Sequence, residues 1–571
     1  MLKAVHQHRT SSDSAMSQHL PAAGPEATSD QDHWFENAIV YHVVTDRFSQ
    51  GDPSRAPLFD RQRDATGPGG FHGGDFAGVT GRIVSGWFGA LGVNCIWLSA
   101  PYEQIHGWVP GGGGSYRHHP YHGYWALDYT TVEPSFGTRE EFREMVDAAH
   151  ERGIRIVLDV GLSHPGYPDL YTLQELLPGT VNPAWEDAQP HRYADFFNHD
   201  DPAFAQWWGK DWVCADLPGY QALGNTPYDG LLHGLPRFRL DDERQVSPPD
   251  FLLAKPGSRV TQLAGKTVRG YLVTWLAAWV REFGIDGFRC DSASHVGMAA
   301  WSELKLAASR ALLEWKEQHP HKAVDRAPFW MTGEVFGHNT QRNEYFDHGF
   351  DSLINFSFQD ELKAILRDVR EGHRYSLALA HFRLNRVYQA YADGFATGGH
   401  NVLSYISSHD VGLFDRAQLV QAGTALLLLP GAVQILYGDE TGRAPGEDGT
   451  ALCSDMNWGE IDVAVMARWS MVGRFRARHR AIAQGVHALR SEVPYAFSRL
   501  HARSADRVLI VLGPASEAEI QVSDLWADGT VLTDGANGGR FEVSEGCIRV
   551  STDSLLLLAG PDDEAEHPCG S

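Results

Sequence analysis

Apolar residues in this chain gather into short, near-continuous runs, and several of these runs stop on an ionisable side chain. Four do so plainly: Arg155-Ile-Val-Leu-Asp159, Ile285-Asp-Gly-Phe-Arg-Cys-Asp291, Phe329-Trp-Met-Thr-Gly-Glu334 and Val402-Leu-Ser-Tyr-Ile-Ser-Ser-His-Asp410. Near-continuous apolar content is what a parallel strand covered on both faces requires. Four more runs have the same β-branched and aromatic character, at 38–44, 92–98, 350–356 and 432–437. Stretches with apolar residues at helical spacing separate them, notably 79–91, 138–146 and 268–282. Thr138 with Glu141 three residues on reads as a capping box for the second of these helices. Strand and helix patterns that alternate about eight times predict an α/β protein, a (β/α)8 TIM barrel. In such a barrel the chemistry collects where the strands end.

Two departures from the alternation divide the chain further. Residues 165–263 are rich in Pro, Gly, Asp and Trp and carry no regular strand–helix pattern. A structureless loop of that length does not suit a compact domain, so the stretch reads as a domain inserted after strand 3. The barrel then comprises 34–164 and 264–492. From 493 to 571 short strands separated by turn residues, including Asp534-Gly and Asn537-Gly-Gly, predict a C-terminal antiparallel β-sandwich ending in an acidic tail. Residues 1–33 are polar, contain no apolar signal core and read as a disordered tail. Without a visible export signal the default expectation is the cytoplasm, with the periplasm or secretion as the alternative.

Composition narrows the function classes. Of 571 residues, 43% are hydrophobic and 21% charged, which is ordinary for a soluble globular protein. The net charge of −24 argues against nucleic acid or an anionic membrane as partner, because both call for a basic surface. No run reaches the ~20 apolar residues of a membrane span. The six cysteines are scattered without a CxxC pair, so neither a zinc ribbon nor a disulfide framework is indicated.

The strand-end residues suggest acid/base chemistry. Arg289 and Asp291 are two apart on one strand and so face the same side. A neighbouring guanidinium lowers a carboxyl's pKa, which suits a nucleophile. Glu334 follows an apolar, aromatic run that raises a carboxyl's pKa, which suits a general acid. Asp410 follows His409, and both can hydrogen-bond a substrate. Each residue has a plainer reading as a strand-end salt bridge, an ordinary surface carboxylate or a helix N-cap. Together they supply the two carboxylates that glycoside hydrolysis needs, with a third beside them.

At this point the motifs resemble those of the α-amylase family, glycoside hydrolase family 13. The resemblance runs from Ile39 to Gly560 and rests on Asp159-Val-Gly-Leu-Ser-His164, Gly287-Phe-Arg-Cys-Asp-Ser-Ala-Ser-His295, Gly333-Glu334-Val and Ser407-Ser-His-Asp410, in the family's order and spacing. Thr45-Asp-Arg-Phe48, Tyr121-His-Gly-Tyr-Trp-Ala-Leu-Asp128 and Tyr437-Gly-Asp-Glu440 add to it, and some stretches look like the bacterial periplasmic branch. The resemblance implies a retaining α-glucan hydrolase acting on starch, glycogen or maltodextrins. Asp291 would be the nucleophile, Glu334 the acid/base and Asp410 the transition-state stabiliser. His122, Tyr124, His164, Arg289 and His409 would bind or orient, with Tyr124 stacking on the sugar, and Asp159 and His295 would support. The alternative is a transglycosylase or a trehalose- or sucrose-active enzyme on the same residues.

Two positions inside the motifs depart from the family. The first motif usually ends Asn-His, with the Asn on a structural calcium ion, and here Ser163 takes that place. Ser163 and Asp229 are the candidate metal ligands, and Ca2+ is the one cofactor the resemblance brings in, at an atypical site. Ser294 stands where many members have Lys, which bears on the +2 subsite. Ala264-Gly-Lys-Thr267 lacks the earlier glycine of a phosphate loop, and His118, His119 and His122 lack a carboxylate or cysteine to complete a zinc site. Oligomeric state is not legible.

Overall fold

The computed structural model describes residues 30–59, 61, 67–182, 184–185, 189–198, 207–214, 234–370, 376–446, 451–513, 515–552 and 555–563. Eight parallel strands form a closed barrel: β1 (Ile39–Val43), β2 (Cys95–Leu98), β3 (Arg155–Gly161), β4 (Gly287–Asp291), β5 (Trp330–Gly333), β6 (Ser352–Asn355), β7 (Asn401–Ser404) and β8 (Ala432–Leu436). The first strand is bonded to both the second and the eighth, which closes the ring. Six fall within the apolar runs expected from the sequence; β3 runs two residues past its run, to Gly161, and β7 starts one residue before its run, at Asn401.

The alternation along each strand decides what lies inside. Val40, Cys95, Trp97, Val157, Trp330, Leu403 and Ala432 fill the barrel, while Ile39, Ile96, Ile156, Leu158, Phe288 and Cys290 face the surrounding helices. Trp34, on a 3-10 helix over Asp30–Asn37, closes the lower end with its ring against Trp330. The helices are α1 (Phe76–Val84), α2 (Arg139–His150), α3 (Val268–Phe283), α4 (Met298–Gln318), α5 (Ser357–Arg370), α6 (Ser376–Gly398), α7 (Leu419–Leu427) and α8 (Val463–Arg478). The capping box at Thr138 and Glu141 is present. Gly284 ends α3 in the left-handed region (φ 76°), where a Cβ would lie 2.4 Å from the Trp315 ring, so only glycine turns the chain into β4 there.

Strict alternation fails once. Between β5 and β6 the structure has only a 3-10 turn, Glu344–His348, capped by Asn343 and ended by Gly349 at φ 98°. Gly337, Asn339, Asn343 and Gly349 fall within thirteen residues and leave no room for a full helix.

The 165–263 stretch contains a short helix over Leu170–Leu176, a 3-10 helix over Pro190–Phe196 and a two-stranded ladder of Val213–Cys214 with Arg237–Phe238. It docks on α3 through aromatic rings, with Trp212 stacked on Trp275 at 5.5 Å and 7°. The C-terminal strands are β9 (Val486–Ser491), β10 (Tyr495–Leu500), β11 (Arg507–Leu512), β12 (Ala515–Gln521), β13 (Val531–Asp534), β14 (Arg540–Glu542), β15 (Cys547–Thr552) and β16 (Leu555–Ala559). Six form an antiparallel sheet in the order β9-β10-β11-β16-β13-β14, and β12 pairs with β15 as a second layer. Leu509, Val511, Ile520, Ile548, Leu556 and Leu558 fill the space between the layers. Buried Arg499 ties this domain to the barrel by donating to the Leu428 carbonyl at 2.7 Å.

Past β8, Glu440 is fully buried, accepts the Tyr41 hydroxyl at 2.5 Å and is pushed up by burial from the usual 4.5 to about 7. A carboxyl raised on folding adds stability below its unfolded pKa, and this stability is lost as pH rises through the folded value. Between pH 4.5 and 7 the parent should therefore lose up to about 3 kcal/mol relative to Glu440→Gln, which keeps one acceptor oxygen and has no charge to titrate. Urea unfolding of both proteins across that window measures it, and a pH-independent difference would contradict it.

Candidate active site

The interstrand register assembles the site. Arg289 on β4 is level with Asp159 on β3 and with Thr332 on β5, and Cys290 is level with Gly333. One residue further along, Asp291 and Glu334 come level at the strand ends. Because side chains alternate, Asp159, Arg289 and Asp291 all point into the barrel mouth while Cys290 points to the helices.

Arg289 is 1% exposed and is the hub of the site. Its Nη1 lies 2.9 Å from Asp159 Oδ1 and 2.7 Å from Asp291 Oδ1, and its Nη2 lies 3.0 Å from Glu334 Oε2. Its guanidinium carbon stands 4.9 Å from the centre of the Trp97 ring. Asp159 is held further by Trp97 Nε1 at 3.1 Å and the Tyr124 hydroxyl at 2.8 Å. Arg289 thus holds one oxygen of Asp291 and one of Glu334 on neighbouring nitrogens, side by side as a retaining pair requires.

Electrostatics correct one expectation. Burial pushes the Asp291 carboxyl up, and Asp159 and Asp410 add to that, against Arg289, so it lies above the ordinary carboxylate range and not below it. Burial also raises Glu334, again opposed by Arg289 and reinforced by Asp291 and Asp410. Asp410 behaves in the opposite way. Burial would raise it, but the His409 ring at 2.9 Å holds it down to about 2. Its side chain is 43% exposed, so a fixed anion faces the cleft.

The remaining candidates line the same mouth. His409 is raised by Asp410 against the effect of burial, and its Nε2 also lies 2.7 Å from the Tyr124 hydroxyl. The Tyr124 ring runs parallel to those of His409 (5.8 Å, 8°) and His122 (5.5 Å, 21°). His122 Nδ1 accepts the Tyr124 backbone N–H at 3.0 Å, and burial keeps the ring neutral, which leaves its Nε2 as the protonated nitrogen. His164 Nδ1 donates to the Pro165 carbonyl at 3.0 Å.

Sequence reasoning missed two parts of this arrangement. Ser292, directly after Asp291, adopts a left-handed conformation (φ 46°) that aims its N–H at Glu334 Oε2, 2.9 Å away. Strained backbone of this kind is typical of functional sites. The Ala293 N–H also donates to the Glu334 carbonyl at 2.8 Å. His42 is the second. It is buried against Trp97 (3.8 Å, 11°) and edge-on to His409, forming the floor beneath that residue. Its signal was available, since it is a histidine inside the apolar β1 run.

Other candidates lie apart from the hub. The His295 ring is exposed, and the residue contributes its backbone carbonyl, which accepts from Arg237. Ser163 is buried, with its carbonyl accepting the Phe238 N–H at 3.0 Å. Asp229 lies outside the described residues. His118 packs edge-on against His122, and among the described residues no three His, Cys, Asp or Glu side chains converge on a metal-binding point.

With this geometry established, comparison with known proteins is informative. Residues 42–460 match the family model for the α-amylase catalytic domain. The chain is 40% identical over 505 residues to the periplasmic α-amylase of Escherichia coli, covering 84% of this chain and 72% of that protein. It is 26% identical over 431 residues to a cyclomaltodextrin glucanotransferase of Geobacillus stearothermophilus, of which it covers 49%. Among solved structures an Anoxybacillus α-amylase superposes with a TM-score of 0.62 over 92% of this chain and 98% of that one, at 21% identity, a likeness of fold alone. A matched domain running from the end of β1 to beyond β8, together with a 40% identical relative, places the chain in the α-amylase family.

Proposed function

We propose that this protein is a retaining α-glucan hydrolase that cleaves α-1,4-glucosidic bonds of starch, glycogen or maltodextrins. The observation that carries the reading is the Arg289 fork, which grips both Asp291 and Glu334 beside the anionic Asp410. An Asp291 carboxylate oxygen attacks the anomeric carbon as the bond to the leaving oxygen breaks, and Glu334 gives that oxygen its proton. The Glu334 carboxylate then takes a proton from water. The water oxygen bonds to the anomeric carbon, the glycosyl-aspartate bond breaks, and both side chains return to their starting states with one water consumed. Asp410 and His409 stabilise the oxocarbenium-like charge and hold sugar hydroxyls, and His122 donates from Nε2. Asp159 and Tyr124 position Arg289 and His409, and Tyr124 stacks on the bound sugar.

A second reading, sugar in place of water as acceptor, is favoured by one observation. Phe336, two residues beyond Glu334, is 75% exposed, with its ring on Phe356. An open aromatic face beside the acid suits an incoming sugar ring. Chromatography of maltoheptaose digests tests both readings. Hydrolysis gives only shorter products, whereas transfer gives longer ones that fall severalfold in Phe336→Ala. Absence of any cleavage would refute both. The 40% identical periplasmic relative supports an exported location over the cytoplasmic default. Osmotic-shock fractionation checks it, and activity confined to the cytosolic fraction would refute it.

A further inference from the structure

The family's structural calcium belongs at position 163, and the residues there do not suit it. Calcium takes six to eight oxygen ligands, rich in carboxylates and carbonyls. Ser163 offers a neutral hydroxyl, and its buried Oγ has no hydrogen-bond partner. Its carbonyl is already used by the Phe238 N–H at 3.0 Å. The residue before Phe238 is Arg237, 4% exposed, on the short ladder with Val213–Cys214. Its guanidinium crosses from the inserted segment to the turn after β4 and donates through Nη2 to the His295 carbonyl. The Arg237 side chain thus joins the insert to the turn that follows the Asp291 strand, while the backbone of its neighbour Phe238 joins the insert to the end of β3 at Ser163.

We infer that the Arg237 guanidinium is a built-in cation that does the bridging work of the family's calcium ion, so that this chain folds and acts without calcium. The inference rests on the family assignment. A guanidinium can do this work because it is permanently charged and presents several donors in a rigid fork. It supplies one positive charge and directed hydrogen bonds where a metal would supply two charges and undirected ones. It also opposes the metal. A divalent cation placed beside a buried guanidinium is repelled in a medium of low dielectric, and the His295 carbonyl is already engaged. The arrangement fixes the turn that holds Ser292 and Ala293, whose N–H groups donate to Glu334.

The test uses the full chain, purified and dialysed against EGTA. Elemental analysis should find less than about 0.1 calcium per chain, and Tm should move by less than about 1 °C between EGTA and millimolar CaCl2, because a ligand that does not bind the folded state does not stabilise it. Hydrolysis of maltoheptaose should likewise be unchanged, and this control separates the inference from the functional reading, since the calcium content and Tm arms need no activity. Stoichiometric retained calcium, or a Tm that falls by more than about 5 °C in EGTA and recovers with calcium, would overturn the inference. A second arm compares Arg237→Met with Arg237→Lys. Tm should drop by several degrees in the first, without rescue by calcium, and recover in part in the second. A methionine variant as stable as the parent would also overturn it. If that variant does not fold, the calcium measurements on the parent still decide.

Discussion

Asp291→Asn is expected to lose at least about 10⁴-fold in kcat on maltodextrins, roughly 5–6 kcal/mol of transition-state stabilisation, with its fold intact. The amide is nearly isosteric and still accepts from Arg289 Nη1, so the fork stays in place. What is lost is the oxygen that forms the glycosyl bond. Stability should move the other way. Asp159, Asp291, Glu334 and Asp410 crowd around a single arginine; burial raises the first three, and repulsion from neighbouring carboxylates adds to it at Asp291 and Glu334. Removing one negative charge relieves that cost, so Tm should equal or exceed the parent's, a trade of stability for function. Thermal unfolding and steady-state kinetics on the same preparation check both halves. Activity within tenfold of the parent would remove Asp291 from the reaction.

Glu334→Gln should be nearly as damaging on natural substrates, whereas formation of the glycosyl-enzyme should be much less affected when the leaving group needs no proton. General acid catalysis contributes about 10²–10⁴-fold, and that is the loss expected on maltodextrins. With an α-maltosyl fluoride the first step no longer needs the acid, while the second still lacks its base. A glycosyl-enzyme should therefore accumulate, and peptide mass mapping should find the sugar on Asp291. Equal losses in the rate of glycosyl-enzyme formation from both substrates, or a label elsewhere, would reverse the roles assigned to the two residues. In the parent, the raised Glu334 pKa keeps the acid protonated to higher pH than an ordinary glutamate, so the alkaline limb of kcat/KM should lie above the usual carboxylate range.

Much of this molecule was legible in its sequence because parallel barrel strands are buried on both faces and so appear as solid apolar runs. The eight strands, the capping box at Thr138 and the strand-end carboxylates could be read for that reason. What could not be read depends on distance across the fold. Arg289 was expected to serve Asp291, but that it also grips Glu334 follows from the β4–β5 register, which no local pattern encodes. The direction of the Asp291 shift was misjudged because proximity to an arginine is visible along a strand and full burial among other carboxylates is not. The missing helix before β6 was announced by its glycines and asparagines, yet the regular alternation around it outweighed them. Arg237 gave no signal at all, since it lies in a two-residue strand within a patternless stretch.

The shared rung of Asp159, Arg289 and Thr332 also bears on how such an enzyme can evolve. Deleting or inserting one residue in β4 would turn Arg289 toward the helices and bring Cys290 into the mouth, dismantling every contact of the hub at once. The segments beyond the strand ends carry no such parity constraint. The loop around Phe336, and the part of the stretch after β3 away from Arg237, can change while the reacting groups stay in place. New acceptors or chain-length preferences should therefore arise through variation in the loops, while the spacing within the strands remains fixed.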